Sequence, residues 1–202
     1  MAGLIGDGVS RVVHRIERQT MLRRHRFPRL TKFDIVNRLG VVNGYSSYLD
    51  VSTPTTGNKY PKIDRNTFGD CRRVMNRSPS GHVEFPTDVT SSALDSREGV
   101  TSVCESGESF DVVFVDPFHD RATSRIDMEQ GLTVLAPGGV MVVDDCLPPC
   151  KSMAGDEFER GEWLGQTYLA FLDVMSDRRD LDFCAVDTHW GVGLVPVSRW
   201  MP

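Results

Sequence analysis

The sequence predicts an α/β protein built around a mostly parallel sheet, and two buried strands with a helix between them carry that prediction. Residues 110–115 are a nearly continuous apolar run, which is typical of strands covered on both faces. A second apolar run, residues 140–143, follows a helical pattern between Ile126 and Leu135 that the sequence Pro137-Gly138-Gly139 closes. Strand, helix and strand form a βαβ unit, whose crossover is right-handed in nearly all known sheets.

Weaker patterns place further elements around this unit. Apolar spacing predicts amphipathic helices over 9–24 and from Thr31, as N-cap, to Asn43-Gly44. A third helical pattern runs from Trp163 to Met175. The predicted strands are residues 48–51, 74–75, 83–85, 183–186 and 193–197, with a short helix near 91–94. The last two strands are joined by a turn, which predicts a hairpin at the end of the chain.

Length and composition indicate one soluble domain. The chain has 202 residues, a formal net charge of −5 and 40% hydrophobic residues, and its apolar runs fall far short of the ~20 residues of a membrane span. Its five cysteines show no CxxC spacing, which predicts neither a disulfide framework nor a zinc site and favours a reducing, cytoplasmic location. We divide the chain into a helical segment over 1–44 and a main domain over 45–202.

The charge is unevenly distributed along the chain. Residues 1–80 contain 15 Lys/Arg against 6 Asp/Glu, whereas residues 81–202 contain 8 against 22. A basic segment can attract nucleic acid, but this one lacks interleaved aromatic residues beyond Phe27. We therefore expect no nucleic-acid partner and no membrane partner. Docking of the basic segment on an acidic surface of its own chain or of a second copy accounts for it equally well, so a homo-oligomer formed through this segment stays open.

Aspartates follow the predicted strands at their carboxyl ends. Asp50, Asp116, Asp144 and Asp145 all lie at or just beyond such ends, where open α/β sheets bind their ligands. Carboxylates that converge in one crevice repel one another unless a cation or proton joins them, and Mg²⁺ prefers such oxygen ligands. Taken singly, each aspartate is equally compatible with a helix N-cap or a solvated loop.

His119 is the candidate general base. It follows Asp116 by three residues, about one turn, so its imidazole can reach the same crevice and accept a hydroxyl proton near neutral pH. A structural or surface role is the alternative. The other histidines (His14, His25, His82 and His189) have no comparable setting.

Three motifs resemble the class I, S-adenosylmethionine (SAM)-dependent O-methyltransferases. The chain reads YLDVS over 48–52, FDVVFVDPFH over 110–119 and LAPGGVMVVDDCLPP over 135–149. The magnesium-dependent macrolide-sugar methyltransferases and the cephalosporin-hydroxylase-like or polysaccharide-biosynthesis group carry the similar patterns YLEIG, FDLIFIDGLHxY and LLxPGGxxxxHDCLPP. The resemblance extends over roughly residues 45–197. Its second and third motifs are specific in combination, and the first is weak.

The resemblance implies a fold, two cofactors and their residues. The fold is a Rossmann-like three-layer sandwich with a mostly parallel seven-stranded sheet whose last strand is antiparallel. SAM is expected over the first strand near Asp50, Ser52, Gly57 and Asp116. Mg²⁺ is expected at Asp116, Asp144 and Asp145, with His119 as the catalytic base.

Two departures concern the SAM site. Ser52 stands where the family pattern has glycine, although Gly57 is present. No clear acidic residue follows a second strand to bind the ribose, and Asp64, Asp70 and Glu84 are unranked candidates.

The predicted activity is SAM-dependent, Mg²⁺-dependent methyl transfer to a hydroxyl of a small molecule of the sugar or natural-product type. Trp163, Tyr168 and Trp190 either line the acceptor pocket or belong to the core. One alternative is a non-catalytic scaffold or binding protein that keeps the fold but has a degenerate cofactor site. A further alternative is metal-dependent hydrolysis at the same carboxylates.

Overall fold

The strands form one mixed sheet with helices on both faces, as shown by a computed structural model that describes residues 30–53, 62–75, 100, 101, 103, 105, 107–158 and 163–198. In chain order, the helices and strands are α1 Lys32–Asn43, β1 Ser47–Ser52, β2 Asp70–Met75, β3 Phe110–Asp116, α2 Arg121–Thr133, β4 Leu135–Val143, a 3₁₀ turn Lys151–Met153, α3 Thr167–Asp177, β5 Cys184–Val186 and β6 Val192–Pro196.

The strand order is β2-β1-β3-β4-β6-β5. β1 pairs in parallel with β2 and β3, and β3 pairs in parallel with β4, whereas β6 is antiparallel to both β4 and β5. The mostly parallel sheet with an antiparallel last strand is thus confirmed. The described residues supply six strands rather than seven, and residues 83–85 lie outside them.

Alternation along the strands divides the core into two layers. Val113 and Val115 of β3 pack with Met128 of α2 and with Phe171 and Val174 of α3. The alternate residues Val112 and Phe114 pack on the other face with Phe33 and Val36 of α1. Since successive side chains of a strand point to opposite faces, α1 packs on one face of the sheet, and α2 and α3 pack on the other. This arrangement confirms the three-layer sandwich.

Local signals explain where α1 begins and ends. The Thr31 hydroxyl accepts a hydrogen bond from the Asp34 amide, and the Asp34 carboxylate accepts one from the Thr31 amide, which forms a capping box. Gly44 ends the helix in the left-handed conformation at φ 70°. The predicted helix from Thr31 to Asn43-Gly44 is confirmed.

Two predicted helix boundaries are wrong. The segment 135–139, interpreted as the end of a helix, instead begins β4, because Leu135 is in register with Phe110 of β3. The helix predicted from Trp163 begins only at Thr167, since Leu164 and Gly165 donate backbone hydrogen bonds to the Met153 carbonyl.

Several predictions lie outside the described residues, among them the helices over 9–24 and 91–94. Within the described part of the chain, no helix combines the length and hydropathy needed to cross a bilayer.

Candidate active site

Strand alternation brings three of the four predicted aspartates to one face of the sheet. Asp50, Asp116 and Asp144 each continue the side-chain alternation that places Tyr48, Phe114 and Val142 against α1. Ser52 is in register with Asp116, and the Asp144 amide donates to the Val115 carbonyl at 3.0 Å. The side chains therefore meet at the carboxyl edge of the sheet, beneath the beginning of α1.

The crevice lies where the strand order reverses. β1 connects onward to β2 on one side, while β3 leads to β4 on the other, so the boundary between β1 and β3 is the topological switch point. The Thr53 amide donates to the Asp116 carbonyl at 2.9 Å across this boundary. Asp116 therefore belongs both to the switch-point crevice and to the cluster of carboxylates beside it.

Lys32 is the residue that sequence reasoning missed. Its Nζ donates to Asp116 Oδ2 at 2.8 Å and to Asp144 Oδ2, and the residue is 1% exposed. A signal was present, because a lysine next to Phe33 at the start of an apolar helix face is unexpected, and because convergent carboxylates require a cation. The partner could not be identified from the sequence, since Lys32 and Asp144 are separated by 112 positions.

His119 lies against the other side of this cluster. Its Nε2 is 3.1 Å from Asp145 Oδ2 and 3.5 Å from Asp116 Oδ1, and its Nδ1 is 2.9 Å from the Trp163 carbonyl oxygen. Because a carbonyl only accepts, Nδ1 carries a proton in this arrangement. Burial lowers the pKa of His119, but the negative charges of Asp145 and Asp116 and the ring's hydrogen bonds outweigh that effect, so its pKa lies above the ordinary value.

Backbone strain is concentrated at the same place. Among the described residues, the non-glycine residues with positive φ are His119 (77°), Asp145 (57°), His189 (48°) and Trp190 (69°). Left-handed backbone in such residues costs free energy and persists where the surroundings fix it. His119 therefore reaches Asp116 through a strained loop rather than through the helical turn that the spacing suggested.

Two glycines allow neighbouring backbone to pack closely against the loops that contain His119 and Asp145. A Cβ on Gly165 would collide with the His119 carbonyl, and the adjacent Gln166 amide donates to that carbonyl at 2.7 Å. A Cβ on Gly191 would collide with Leu147, which follows the aspartate pair. Both contacts require a close backbone approach that only glycine permits.

His189 corrects a sequence-based expectation. We expected no comparable setting for it, yet its Nδ1 lies 3.9 Å from Asp144 Oδ1 in the turn between β5 and β6. That turn is attached to the aspartate loop, since the Leu147 amide donates to the Trp190 carbonyl at 2.8 Å. His14, His25 and His82 lie outside the described residues.

A metal ion would find ligand atoms in this cluster. One ligand atom each from Asp116, His119 and Asp145 lie within 4.8 Å of one another. Asp144, the third predicted ligand, gives one oxygen to Lys32, while its Oδ1 is buried without a hydrogen-bond partner among the described residues. Buried unpaired carboxylate oxygens are costly, so this donor set fits a hard divalent cation.

The predicted SAM residues form a second buried group. Asp50 of β1 is in register with Arg73 of β2, and Arg73 Nε donates to Asp50 Oδ2 at 3.2 Å. Burial raises the pKa of Asp50 to about 6, although Arg73 opposes that rise. Within the described part of the chain, Asp50 Oδ1 and Thr53 Oγ1 are buried without a hydrogen-bond partner, which fits a polar ligand at the carboxyl end of β1.

The remaining SAM candidates are placed only in part. Gly57 and Glu84 lie outside the described residues. Asp70 is the first residue of β2, so it lies at the amino edge of the sheet, away from the crevice, and Asp64 precedes it. The Asp64 carboxylate accepts hydrogen bonds from Asn66 and Thr67, which gives it a local turn-forming role.

Some aromatic residues near His119 are buried in the core, and others are exposed at the surface. Trp163 is buried and Trp190 packs on Met153 and Leu164, whereas Tyr168 is partly buried. Phe158, which the sequence did not single out, is 58% exposed and its ring centroid lies 5.3 Å from that of Trp163. Phe118 completes this aromatic group, at 5.6 Å from Trp163.

Comparison with known proteins gives the family. The family model described as Methyltransferase domain matches residues 19–146, which is more than half of the chain and includes Lys32, His119 and all four strand-end aspartates. No curated protein matches the chain in sequence.

Methyltransferases are among the solved structures with the same fold, and two of the three compared below are O-methyltransferases. The O-methyltransferase from Bacillus cereus in complex with SAH is 16% identical (TM-score 0.56), and the match covers 83% of this chain and 80% of that one. TomG from Streptomyces achromogenes, involved in tomaymycin synthesis and in complex with SAM, is also 16% identical (TM-score 0.57; 83% and 79% covered). MycE from the mycinamycin biosynthetic pathway, in complex with Mg, SAH and mycinamycin VI, is 17% identical (TM-score 0.50), and the match covers 82% of this chain but 49% of MycE.

The fold is the one seen in solved O-methyltransferases bound to SAH or SAM. The chain belongs to the methyltransferase domain family, which confirms the resemblance noted in its motifs.

Proposed function

We propose that this protein transfers a methyl group from SAM to a hydroxyl of a small molecule, with Mg²⁺ as a second cofactor. The observation that carries the proposal is the double position of Asp116. Its carbonyl accepts from Thr53 at the switch-point crevice, and its carboxylate belongs to the acidic cluster beside His119. A methyl donor in the crevice and a hydroxyl near the cluster would then be neighbours.

The proposed SAM site uses the polar groups at the end of β1. Asp50 and Thr53 supply buried oxygens that need polar partners, and Ser52 lies between them. The carbonyl of Asp116 is already used by Thr53, which fixes the wall between the donor site and the cluster. Gly57 stays part of the proposal as a residue of the loop after β1.

His119 is the proposed catalytic base at its Nε2 atom. The Trp163 carbonyl holds the Nδ1 proton, so a neutral ring presents Nε2 as the acceptor. Asp145 and Asp116 stabilise the imidazolium once it has taken the hydroxyl proton. In the transfer itself the acceptor oxygen forms the new bond to the methyl carbon, the carbon–sulfur bond of SAM breaks, and S-adenosylhomocysteine (SAH) leaves.

Asp116, Asp144 and Asp145 would hold Mg²⁺, with His119 at the edge of the same group. When bound, a divalent cation supplies positive charge that lowers the pKa of an acceptor hydroxyl. The positive charge of a bound ion would oppose the rise that the carboxylates impose on the pKa of His119, which would favour the neutral, proton-accepting form of the ring.

The acceptor is proposed to be a sugar or natural-product hydroxyl. Two structural neighbours support this class by their own pathways, those of tomaymycin and mycinamycin. In this chain, the exposed ring of Phe158 next to Phe118 offers an apolar surface near His119 on which a ring of the acceptor can pack. The domain boundary between residues 44 and 45, a cytoplasmic location and self-association through the basic segment also stay proposals.

Radiolabelled methyl transfer tests the proposal. The full chain is incubated with labelled SAM and a panel of hydroxylated sugars and natural products, with Mg²⁺ or with EDTA. We expect transfer with at least one acceptor, and a loss of that transfer in EDTA and in Asp145→Asn. Transfer that is equal in EDTA would contradict the role of Mg²⁺ alone. Absence of SAM binding at millimolar concentration would instead favour the scaffold alternative.

A further inference from the structure

A lysine at the beginning of α1 is placed against its local preferences. Lys32 is the first residue of the helix, where the helix dipole disfavours a positive charge. It is 1% exposed, and burial of an ammonium group without a partner is costly. Its position is therefore explained by what it contacts across the sheet, not by the helix that carries it.

Lys32 contacts two carboxylates at once, among aromatic rings. Nζ donates to Oδ2 of Asp116 and to Oδ2 of Asp144. The same nitrogen lies 5.3 Å from the ring centroid of Phe114 and 5.6 Å from that of Phe33. The ammonium thus occupies the kind of bridging position between carboxylates that a bound cation takes.

The contacts divide the carboxylate oxygens into two sets. One set, Oδ2 of Asp116 and of Asp144, is bound to Lys32. The other set contains the oxygens of Asp116 and Asp145 near His119 Nε2, together with Asp144 Oδ1, which has no hydrogen-bond partner among the described residues. With His119 and His189 neutral, the carboxylates of Asp116, Asp144 and Asp145 and one ammonium leave two negative charges, which one divalent ion would balance.

We infer that Lys32 is a built-in counter-cation and positioning residue that bridges Asp116 and Asp144, restricts a divalent ion to the remaining oxygens and weakens the binding of that ion. The inference rests on the cation site of the proposed function. Lys32 keeps the two carboxylates in place when no ion is bound, and its positive charge repels an ion that enters. Removal of the lysine side-chain charge should therefore have opposite effects on metal-free stability and on metal affinity.

The test compares Lys32→Met with Lys62→Met. Lys62 is a matched control because its Nζ lies 5.4 Å from the same Phe33 ring, while the residue is exposed. Calorimetry with MnCl₂ and MgCl₂ measures the Kd of the metal alone, and thermal unfolding is followed in EDTA and in each metal. We expect Lys32→Met to lower Tm in EDTA and to lower the metal Kd roughly tenfold or more, since a unit charge a few ångströms from the ion is removed. Lys62→Met should change neither.

A second variant covers the case in which Lys32→Met does not fold in EDTA. Lys32→Met combined with Asp144→Asn removes one charge of each sign, so we expect it to recover most of the lost Tm and to lose the gain in metal affinity. Recovery of the fold by Mn²⁺ or by this double variant supports the inference. Failure of both to restore the fold would overturn it.

Other outcomes separate this inference from the proposed function. Metal binding by Lys32→Met but not by the wild type would support the counter-cation role and contradict Mg²⁺ dependence. A folded Lys32→Met with the wild-type Kd, or with no metal binding at all, would overturn the inference without bearing on methyl transfer. Absence of SAH binding by the wild type would contradict the proposed function while the metal titrations still decide the role of Lys32.

Discussion

Two groups of buried charges lie side by side at the carboxyl edge of the sheet, and they are built in different ways. Asp50 and Arg73 form a pair of opposite charges on neighbouring strands, in direct register. The acidic cluster of Asp116, Asp144 and Asp145 has more negative than positive charge and is assembled from segments far apart in the chain. The charges of the first group cancel, as in a structural ion pair. The second group has excess negative charge, which a bound cation or a proton would neutralise.

The backbone differs in the same way. Asp50 and Arg73 lie within regular strands, whereas His119 and Asp145, at the cluster, have positive φ. Strain that is retained in non-glycine residues at a crevice is typical of functional sites. We therefore propose that the cluster performs the chemistry and that the ion pair holds the wall of the donor site.

Loss of His119, which lies against the acidic cluster, should have the largest effect, and that effect is on turnover. His119→Ala should lower turnover roughly 10²- to 10⁴-fold, because only the proton acceptor is removed. The wild-type rate should rise with pH as the imidazole loses its proton, and this limb should disappear in the variant. Steady-state rates measured as a function of pH, with the Kd of SAH and of Mg²⁺ measured alongside, check this prediction.

Asp116→Ala is the companion variant, and it should lower both turnover and metal affinity, since a ligand and not a base is lost. Near-normal turnover and an unaltered pH limb in His119→Ala would assign the histidine a structural role.

Loss of the Asp50–Arg73 ion pair should have the next largest effect, which is on the stability of the fold. Arg73→Met leaves Asp50 buried without its cation, so the free energy of unfolding at pH 8 should fall by about 3–5 kcal/mol. Arg72→Met is the matched control on the same strand, because Arg72 pairs with Asp70 and Glu108 at the surface and should lose about 1 kcal/mol or less. If urea unfolding shows equal losses of unfolding free energy in the two variants, the buried pair is no more important for stability than the surface pair.

The smallest effect is the pH dependence of the ion pair. Burial raises the pKa of Asp50 to about 6, so the folded chain holds this proton at pH values where the unfolded chain has released it. Stability from this group is therefore present at low pH and is lost as pH rises from about 4 to about 6, by about 3 kcal/mol. In Asp50→Asn, the free energy of unfolding should no longer fall between about pH 4 and about pH 6 because of this group. Urea unfolding of wild type and variant at several pH values measures this difference. If the free energy of unfolding changes with pH in the same way in wild type and variant, Asp50 does not titrate in this range.

Local patterns were sufficient to predict the βαβ unit and the positions of the strand-end aspartates, whereas the three layers were implied by the resemblance of the motifs to a known family. The apolar runs of β3 and β4 specify buried parallel strands, and such strands bring their carboxyl ends to one edge. The convergence of Asp116, Asp144 and Asp145 therefore follows from the strands that precede them.

The partners of those aspartates could not be predicted in the same way. Lys32 and His189 reach the cluster from α1 and from the β5–β6 turn, and no local pattern states which distant segment covers a crevice. The start of β4 was missed for a related reason, since Leu135 and the Pro137-Gly138-Gly139 sequence are poor strand formers that pairing with β3 overrides.

We propose that the switch-point crevice beside Asp50 and Asp116 binds a SAM-type cofactor. Calorimetric titration of the full chain with SAH, supported by thermal unfolding, tests it most directly. We predict measurable heat and a rise in Tm for the wild type and for Asp173→Asn, a surface control paired with Arg121, and weaker binding for Asp50→Asn. No heat and no change in Tm at millimolar SAH would show that this crevice does not bind the cofactor.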